Sequence, residues 1–296
     1  MLTCGVIGAG VFGGFHCGKY AAHERVILAG IYDPDAGRAA ALAEKHDDTQ
    51  AFASLEALLA ACDAVTIANP AVCHGEDAMA ALEAGCHALV EKPLACDGRT
   101  ARALVDKADS AGLQLHAGHQ ERFVARAAGL FDAPAPEGLS ARRFGPASPR
   151  GADVSVVMDL MIHDLDLALR LIGAAPERVT AEGDADEMRA RIVFEGGAEA
   201  EFAAGRRAPG PQRSTRFDWT AGTAEIDWVA KTLHNGSPFA LDPGFADAPL
   251  AKDSLGANVN AFVAAILDGG PAAAPGREAA AAVALAEQIE HAAGLR

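Results

Sequence analysis

A chain of 296 residues suits two domains better than one, and with half of it hydrophobic and 22% charged it has material for a sizeable core, which excludes a disordered scaffold. Twenty-five Lys and Arg against forty Asp and Glu leave a net charge of −15 and a pI near 5.0, a sign that repels nucleic-acid backbones and anionic membranes. A small anionic ligand is not excluded, because a local cluster of Arg acts inside a negative envelope.

Residues 1–7 carry no basic leader, no stretch has the length of uncharged apolar sequence that a membrane span needs, and the six cysteines include no Cys-x-x-Cys pair. The expectation is a cytoplasmic protein with reduced cysteines, no disulfide framework and no bound metal. Along the chain, short apolar runs at 2–7, 26–32, 64–68, 87–90 and 113–117 read as strands. Helix-length stretches at 35–46, 74–84 and 97–110 separate them, with Gly85 and Gly112 as stops. This alternation predicts βαβ units, a parallel sheet with helices on both faces, and a first domain over 1–118.

The remainder, 119–296, has a different character. Pro and Gly punctuate 133–150, and a long apolar helix follows over 154–172. Alternating stretches at 178–182, 188–194, 198–204, 215–220 and 224–228 predict an open, mostly antiparallel sheet, and helices at 257–267 and 278–293 close the chain. The fold class is α/β, a dinucleotide-binding domain followed by an α+β domain whose broad sheet face predicts a homodimer or homotetramer.

Three places carry chemistry. Gly8-Ala9-Gly10-Val11-Phe12-Gly13 is G-x-G-x-x-G between a strand and a helix, and Asp33 closes the next strand. That setting suits a Rossmann turn, whose glycines admit a pyrophosphate to the helix N-terminus while the acid receives the adenine ribose hydroxyls. The carboxylate of Asp33 repels a 2′-phosphate, which favours NAD over NADP. The overlapping Gly13…Gly18-Lys19 has P-loop spacing, but Tyr20 stands where a hydroxyl should meet magnesium, and the loop would fall inside the helix. Next, Glu91-Lys92-Pro93 puts a charged pair at the carboxyl end of a parallel strand, the edge where ligands bind in such sheets. Finally, Asp159, His163, Asp166 and Arg170 form a polar stripe at i, i+4, i+7 and i+11 on an otherwise apolar helix. The stripe admits an ion-pair ladder, a metal site lacking a second His, or acid–base chemistry. Arg206, Arg207, Arg213 and Arg216 cluster in an acidic chain, in a pattern compatible with a diphosphate.

Gly8–Gly13, Asn69-Pro70 followed by His74, Glu91-Lys92-Pro93, Gly118-His119-Gln120-Glu121-Arg122-Phe123 and Asp159…His163 occur in an order that resembles the glucose-fructose oxidoreductase / inositol dehydrogenase (Gfo/Idh/MocA) family over nearly the whole chain. The resemblance implies an NAD-dependent dehydrogenase that oxidises a secondary hydroxyl of a sugar. It implies that Gly8, Gly10, Val11, Phe12, Gly13, Asp33, Asn69, Pro70, His74, Glu91 and Lys92 line the cofactor. It implies that Lys92, Asp159 and His163 are catalytic, with either Lys92 or His163 as the base. Segments 118–123 and 153–166 are most similar to members acting on nucleotide sugars, which implies oxidation at C3 of UDP-N-acetylglucosamine in lipid A diamino-sugar synthesis, with Arg122, Asp166, Arg206 and Arg207 toward the substrate. Oxidation of a free sugar or inositol, and redox-neutral glycoside hydrolysis with transient use of NAD, are the alternatives within the family. A sensor that binds NAD without turnover would not need both Lys92 and His163.

Overall fold

The computed structural model describes residues 1–148, 151 and 153–296; the stretch read as punctuated, 133–150, ends on Pro149 and Arg150, which lie outside them. The described residues form two sheets. In the first, β1 (Leu2–Ile7), β2 (Val26–Tyr32), β3 (Gln50–Ala51), β4 (Ala64–Ile67), β5 (His87–Val90) and β6 (Leu115–Ala117) run parallel in the order β3-β2-β1-β4-β5-β6. Helices α1 (Val11–Ala21), α2 (Ala36–Ala43), α3 (Leu55–Leu59), α4 (Ala71–Glu83) and α5 (Gly98–Ala111) connect them. This is the doubly wound order of dinucleotide-binding domains. Every residue of β4 is buried, as a strand covered on both faces must be, which is why its sequence is a short continuous apolar run. Asp97 caps α5 by accepting the Thr100 N–H at 2.8 Å, and Gly112 ends that helix.

The chain divides into two compact units, and the division is not a single cut near 118: residues 1–119 are joined by 255–280, while 120–254 associate with 281–296. Helix α9 (Ser254–Asp268) explains the return. Its Val259, Phe262 and Val263 belong to the same buried cluster as Leu2, Cys4, Leu28 and Ile31, and Asn258 donates to the carbonyl of Ala117 at 3.1 Å.

The second unit holds α6 (Glu121–Ala127), β7 (Gly138–Phe144), α7 (Ile162–Ile172), β8 (Pro176–Gly183), β9 (Glu187–Phe194), β10 (Glu199–Gly205), β11 (Gln212–Trp219), β12 (Gly222–Asp227), β13 (Thr232–Asn235) and α8 (Pro249–Lys252); α10 (Gly276–Ala292) starts in the first unit and ends in this one. Its sheet runs β13-β12-β11-β7-β10-β9-β8, antiparallel except between β7 and β10. Strand β7 sits in the middle of it, although its sequence falls in the stretch read as irregular; Arg142-Arg143 spoils the apolar alternation, yet Arg143 is buried. In β9, Met188, Ala190, Ile192 and Phe194 point inward and Arg189 and Arg191 outward. The helix expected over 154–172 is two pieces, a π-helical turn over Val157–Met161 followed by α7; the Ile162 N–H reaches back to Val157 O, an i→i+5 bond. Among the described residues no helix is long and apolar enough to cross a membrane.

Candidate active site

The turn between β1 and α1 needs its glycines for different reasons. Gly8 has φ +103°, and a Cβ there would stand 2.8 Å from the backbone of Ala68 and Asn69. A Cβ on Gly13 would lie 1.8 Å from the Gly8 carbonyl oxygen, so α1 meets the turn only through glycine. Among the described residues nothing lies within 4 Å of such an atom on Gly10, and no side chain caps α1 there. Asp33, just past β2, accepts the N–H groups of Ala9 at 2.7 Å and Asp35 at 2.9 Å, which holds its carboxylate beside the turn. Val11 and Val72, at the starts of α1 and α4, are 70% and 59% exposed. Open backbone at a helix N-terminus, an acid at the ribose position and exposed apolar side chains fit a dinucleotide. Gly10 and its neighbours would hold the pyrophosphate, Asp33 the adenine ribose, and Val11, Phe12 and Val72 the flat rings.

The Glu91-Lys92-Pro93 step is anchored from below. Glu91 is buried with its Oε1 2.8 Å from His16 Nε2 on α1, and a Cβ on Gly118 would collide with the same carboxylate at 2.7 Å. Burial alone would push the Glu91 carboxyl up, but His16, then Lys92 and His74, hold it below the usual range, so it stays a carboxylate. The buried ring of His74 bridges two carbonyls, with Nδ1 2.7 Å from Pro93 O and Nε2 3.0 Å from Asn69 O. The side-chain amide of Asn69 donates to Asp77. His74 therefore ties the end of β4 to the Lys92-Pro93 peptide, which is cis, while Lys92 is itself half-buried and Pro70 is exposed.

In the second unit the polar stripe finds partners on other elements. Asp166 takes Arg122 Nε at 2.7 Å and Nη2 at 2.6 Å, a buried bidentate pair joining α7 to α6. His163 Nδ1 lies 2.7 Å from Glu121 Oε2. Asp159, on the π-helical turn, is 3.5 Å from Arg206 Nη2, and that guanidinium also donates to the carbonyls of Gly151 and Val154, both at 2.7 Å. Arg170 lies over the ring of Phe131. The exposed Arg207 pairs with Asp184 at 3.0 Å and Arg216 with Asp218 at 2.8 Å. Arg213 pairs along the sheet with Arg143 of β7. Arg206 and Arg207 follow the end of β10, whereas Arg213 and Arg216 lie within β11.

Four groups that the sequence reading passed over complete these arrangements: His16, Glu121, Arg143 and Asp164. Arg143 donates to Asp164 through Nε and Nη2, both at 2.9 Å, and to Glu121 through Nη1 at 3.1 Å. Burial works against its charge, and the two carboxylates more than offset that, so the guanidinium stays protonated. The same holds in reverse at Glu121, where burial pushes the carboxyl up and His163 and Arg143 bring it well below the ordinary range. The signals were present but weak. Glu121 adjoins the expected Arg122, and Asp164 adjoins His163, but their partners lie 22 and 21 residues away in sequence.

The sheet order and the glycine turn define a dinucleotide-binding domain of the Rossmann class. Residues 2–119 match the model of the oxidoreductase family with NAD-binding Rossmann fold, and residues 124–225 that of the GFO/IDH/MocA C-terminal domain. The chain is 40% identical over 283 residues to UDP-N-acetylglucosamine 3-dehydrogenase of Acidithiobacillus ferrooxidans, covering 90% of this chain and 88% of that one. The solved structure of UDP-N-acetylglucosamine 3-dehydrogenase GnnA from Acidithiobacillus ferrooxidans is similar with a TM-score of 0.90 and 37% identity, over 99% of this chain and 98% of that one. GenD2 from gentamicin A biosynthesis, in complex with NAD, shares the fold with a TM-score of 0.85 at 24% identity, over 99% and 94% of the two chains. The chain belongs to the GFO/IDH/MocA family and is an NAD-binding oxidoreductase.

Proposed function

We propose that this protein oxidises the C3 hydroxyl of UDP-N-acetylglucosamine with NAD, giving the 3-keto nucleotide sugar and NADH in the cytoplasm. The observation that carries this reading is the 40% identity to a UDP-N-acetylglucosamine 3-dehydrogenase, a match over 90% of the chain and so too long to be confined to either unit. Held at the Gly8–Gly13 turn and Asp33, NAD would supply the acceptor for the C3 hydride. The protein's own residues handle the hydroxyl proton and the charge it leaves. Lys92, held at the end of β5 by the Glu91 and His74 contacts, donates a hydrogen bond to the reacting oxygen and stabilises developing alkoxide charge. His163 takes the proton, and Asp159 orients the sugar. Arg207, paired only at the surface, is free to exchange its carboxylate partners for the diphosphate, whereas Arg206 acts by holding Asp159. Arg122 and Asp166 brace the helices that carry these groups.

The test is a panel of UDP-sugars, free sugars and inositols with NAD, following the absorbance of the reduced cofactor. UDP-N-acetylglucosamine should give the highest kcat/KM, and Lys92→Ala or His163→Ala should lower kcat by about 10²-fold or more with NAD binding retained. Turnover of free sugars alone would remove the nucleotide-sugar assignment. Release of free sugar with flat absorbance would make the protein a hydrolase instead.

A further inference from the structure

We propose that Glu121 is a positioning residue for His163, forming with it a carboxylate–imidazole dyad braced by Arg143. The inference deepens the function proposed above and rests on its assignment of His163 as the base.

Three separate elements bring the dyad together. Glu121 opens α6, His163 lies in the first turn of α7, and Arg143 comes from the central strand β7. Glu121 Oε2 is 2.7 Å from His163 Nδ1. The approach is an ion-pair contact rather than an aligned hydrogen bond, yet a carboxylate this close repels a lone pair on Nδ1, which favours the hydrogen of the neutral ring there and its lone pair on Nε2. That choice of tautomer is what a base acting through Nε2 requires. The other oxygen of Glu121 is also fixed, by Arg143 Nη1 at 3.1 Å. Arg143 cannot follow a moving carboxylate: its side chain is 2% exposed and its other two nitrogens, Nε and Nη2, are bound to Asp164. Asp164 thus sets Arg143, Arg143 sets Glu121, and Glu121 sets the plane of the imidazole.

The charges agree with the geometry. From α6 the imidazole faces the Glu121 carboxylate. Behind it the positive Arg143 of β7 is offset by Asp164 of α7, and on the π-helical turn Asp159 is matched by Arg206. Among these groups the charge nearest the ring is negative. It stabilises the imidazolium that forms when the substrate proton arrives, and so raises the proton affinity of the ring. Glu121 meets neither hydride nor hydroxyl in this scheme; its influence passes through His163.

The experiment compares the full-length protein with Glu121→Gln, Glu121→Asp and His163→Asn. Nitrogen-labelled histidine is followed by NMR across pH, with His163→Asn assigning the ring signals. Wild type should show the Nδ1–H tautomer, and Glu121→Gln should move the His163 midpoint down by about one pH unit. With NAD and UDP-N-acetylglucosamine, kcat of Glu121→Gln should fall about tenfold or more and the acid limb of kcat/KM should move to lower pH, with NAD affinity unchanged. Glu121→Asp, which keeps the charge one methylene further back, should recover part of both effects. A His163 titration and pH profile unmoved in Glu121→Gln overturn the dyad whatever the substrate. Should that variant fail to fold, Glu121→Asp must show a smaller shift in the same direction, and no shift overturns the proposal. Wild type inactive on UDP-N-acetylglucosamine, with the NMR coupling present, counts against the substrate while the dyad stands. His163→Asn at full turnover overturns both.

Discussion

Gly10 and Gly13 share one turn, yet the space around them differs, and this separates ligand binding from packing at the level of single residues. A methyl group on Gly13 has a carbonyl oxygen 1.8 Å away, so Gly13→Ala must displace α1 from the sheet and should lower both Tm and NAD affinity. A methyl group on Gly10 meets nothing within 4 Å among the described residues, so Gly10→Ala should keep its Tm and weaken NAD by about tenfold, measured by calorimetric titration. Equal Tm losses in the two variants would contradict this division. A second residue-scale prediction concerns His116. It is fully buried against Phe262, neither ring nitrogen has a hydrogen-bond partner among the described residues, and burial, with a lesser push from His87, lowers its pKa from 6.5 to about 4. Between those values the unfolded chain binds a proton that the folded chain refuses. The stability contribution is thus complete above pH 6.5 and declines as pH falls toward 4, by about 3 kcal/mol in all. Urea unfolding at about pH 7 and about pH 4.5 should show that loss, and His116→Phe should flatten it.

At the scale of elements, α7 is held by two buried ion pairs reaching in different directions, Arg122–Asp166 toward α6 and Arg143–Asp164 toward β7. Such pairs contribute little net stability when intact but are costly to break, because the remaining charge stays buried and unpaired. Asp166→Ala should therefore destabilise by about 3–5 kcal/mol in denaturant unfolding, and the double change Arg122→Met with Asp166→Leu should recover most of that. A loss below about 1 kcal/mol for the single change would mean that the Arg122 guanidinium is satisfied by another partner or by water. The π-helical turn before α7 is anchored by its own neighbours as well. Ser155 accepts the Met158 N–H through Oγ and bonds to Glu290 of α10, and Glu290 in turn takes Arg296 at 2.5 Å. The turn that presents Asp159 is thus fastened both to its own N-terminal side and to the last helix.

For the molecule as a whole, the outer face of the second sheet remains to be accounted for. Arg142, Arg189, Arg191, Glu182 and Glu201 lie on it, both signs interleaved, while the alternate residues fill the core. A surface that mixes charges in this way can match itself across a two-fold axis. A homodimer or homotetramer built on this face is the expected state, and multi-angle light scattering checks it. Reversing Arg142 and Arg191 to Glu should release monomers, and a wild-type monomer at micromolar concentration would remove the proposal.

Much of this protein is written in local sequence. The parallel sheet was legible because strands buried on both faces read as short apolar runs, and the cofactor turn because G-x-G-x-x-G with Asp33 obeys constraints confined to a few dozen residues. Lys92, Asp159 and His163 were legible as a charged group at a strand end and a polar stripe on an apolar helix. Their partners were not. His16 beneath Glu91, Glu121 against His163, Arg143 between Glu121 and Asp164, and Arg122 on Asp166 all join groups on separate elements, and no periodicity along the chain encodes which buried charge meets which. Strand β7 was hidden for the same reason, since an arginine pair contradicts a core strand until its counter-charges are seen. Tertiary structure also decided that 255–280 pack with the first unit, and that part of the expected helix widens into a π-turn. Local propensity and pattern choose the elements; the desolvation of charge, which only a partner distant in the chain can offset, chooses how they meet.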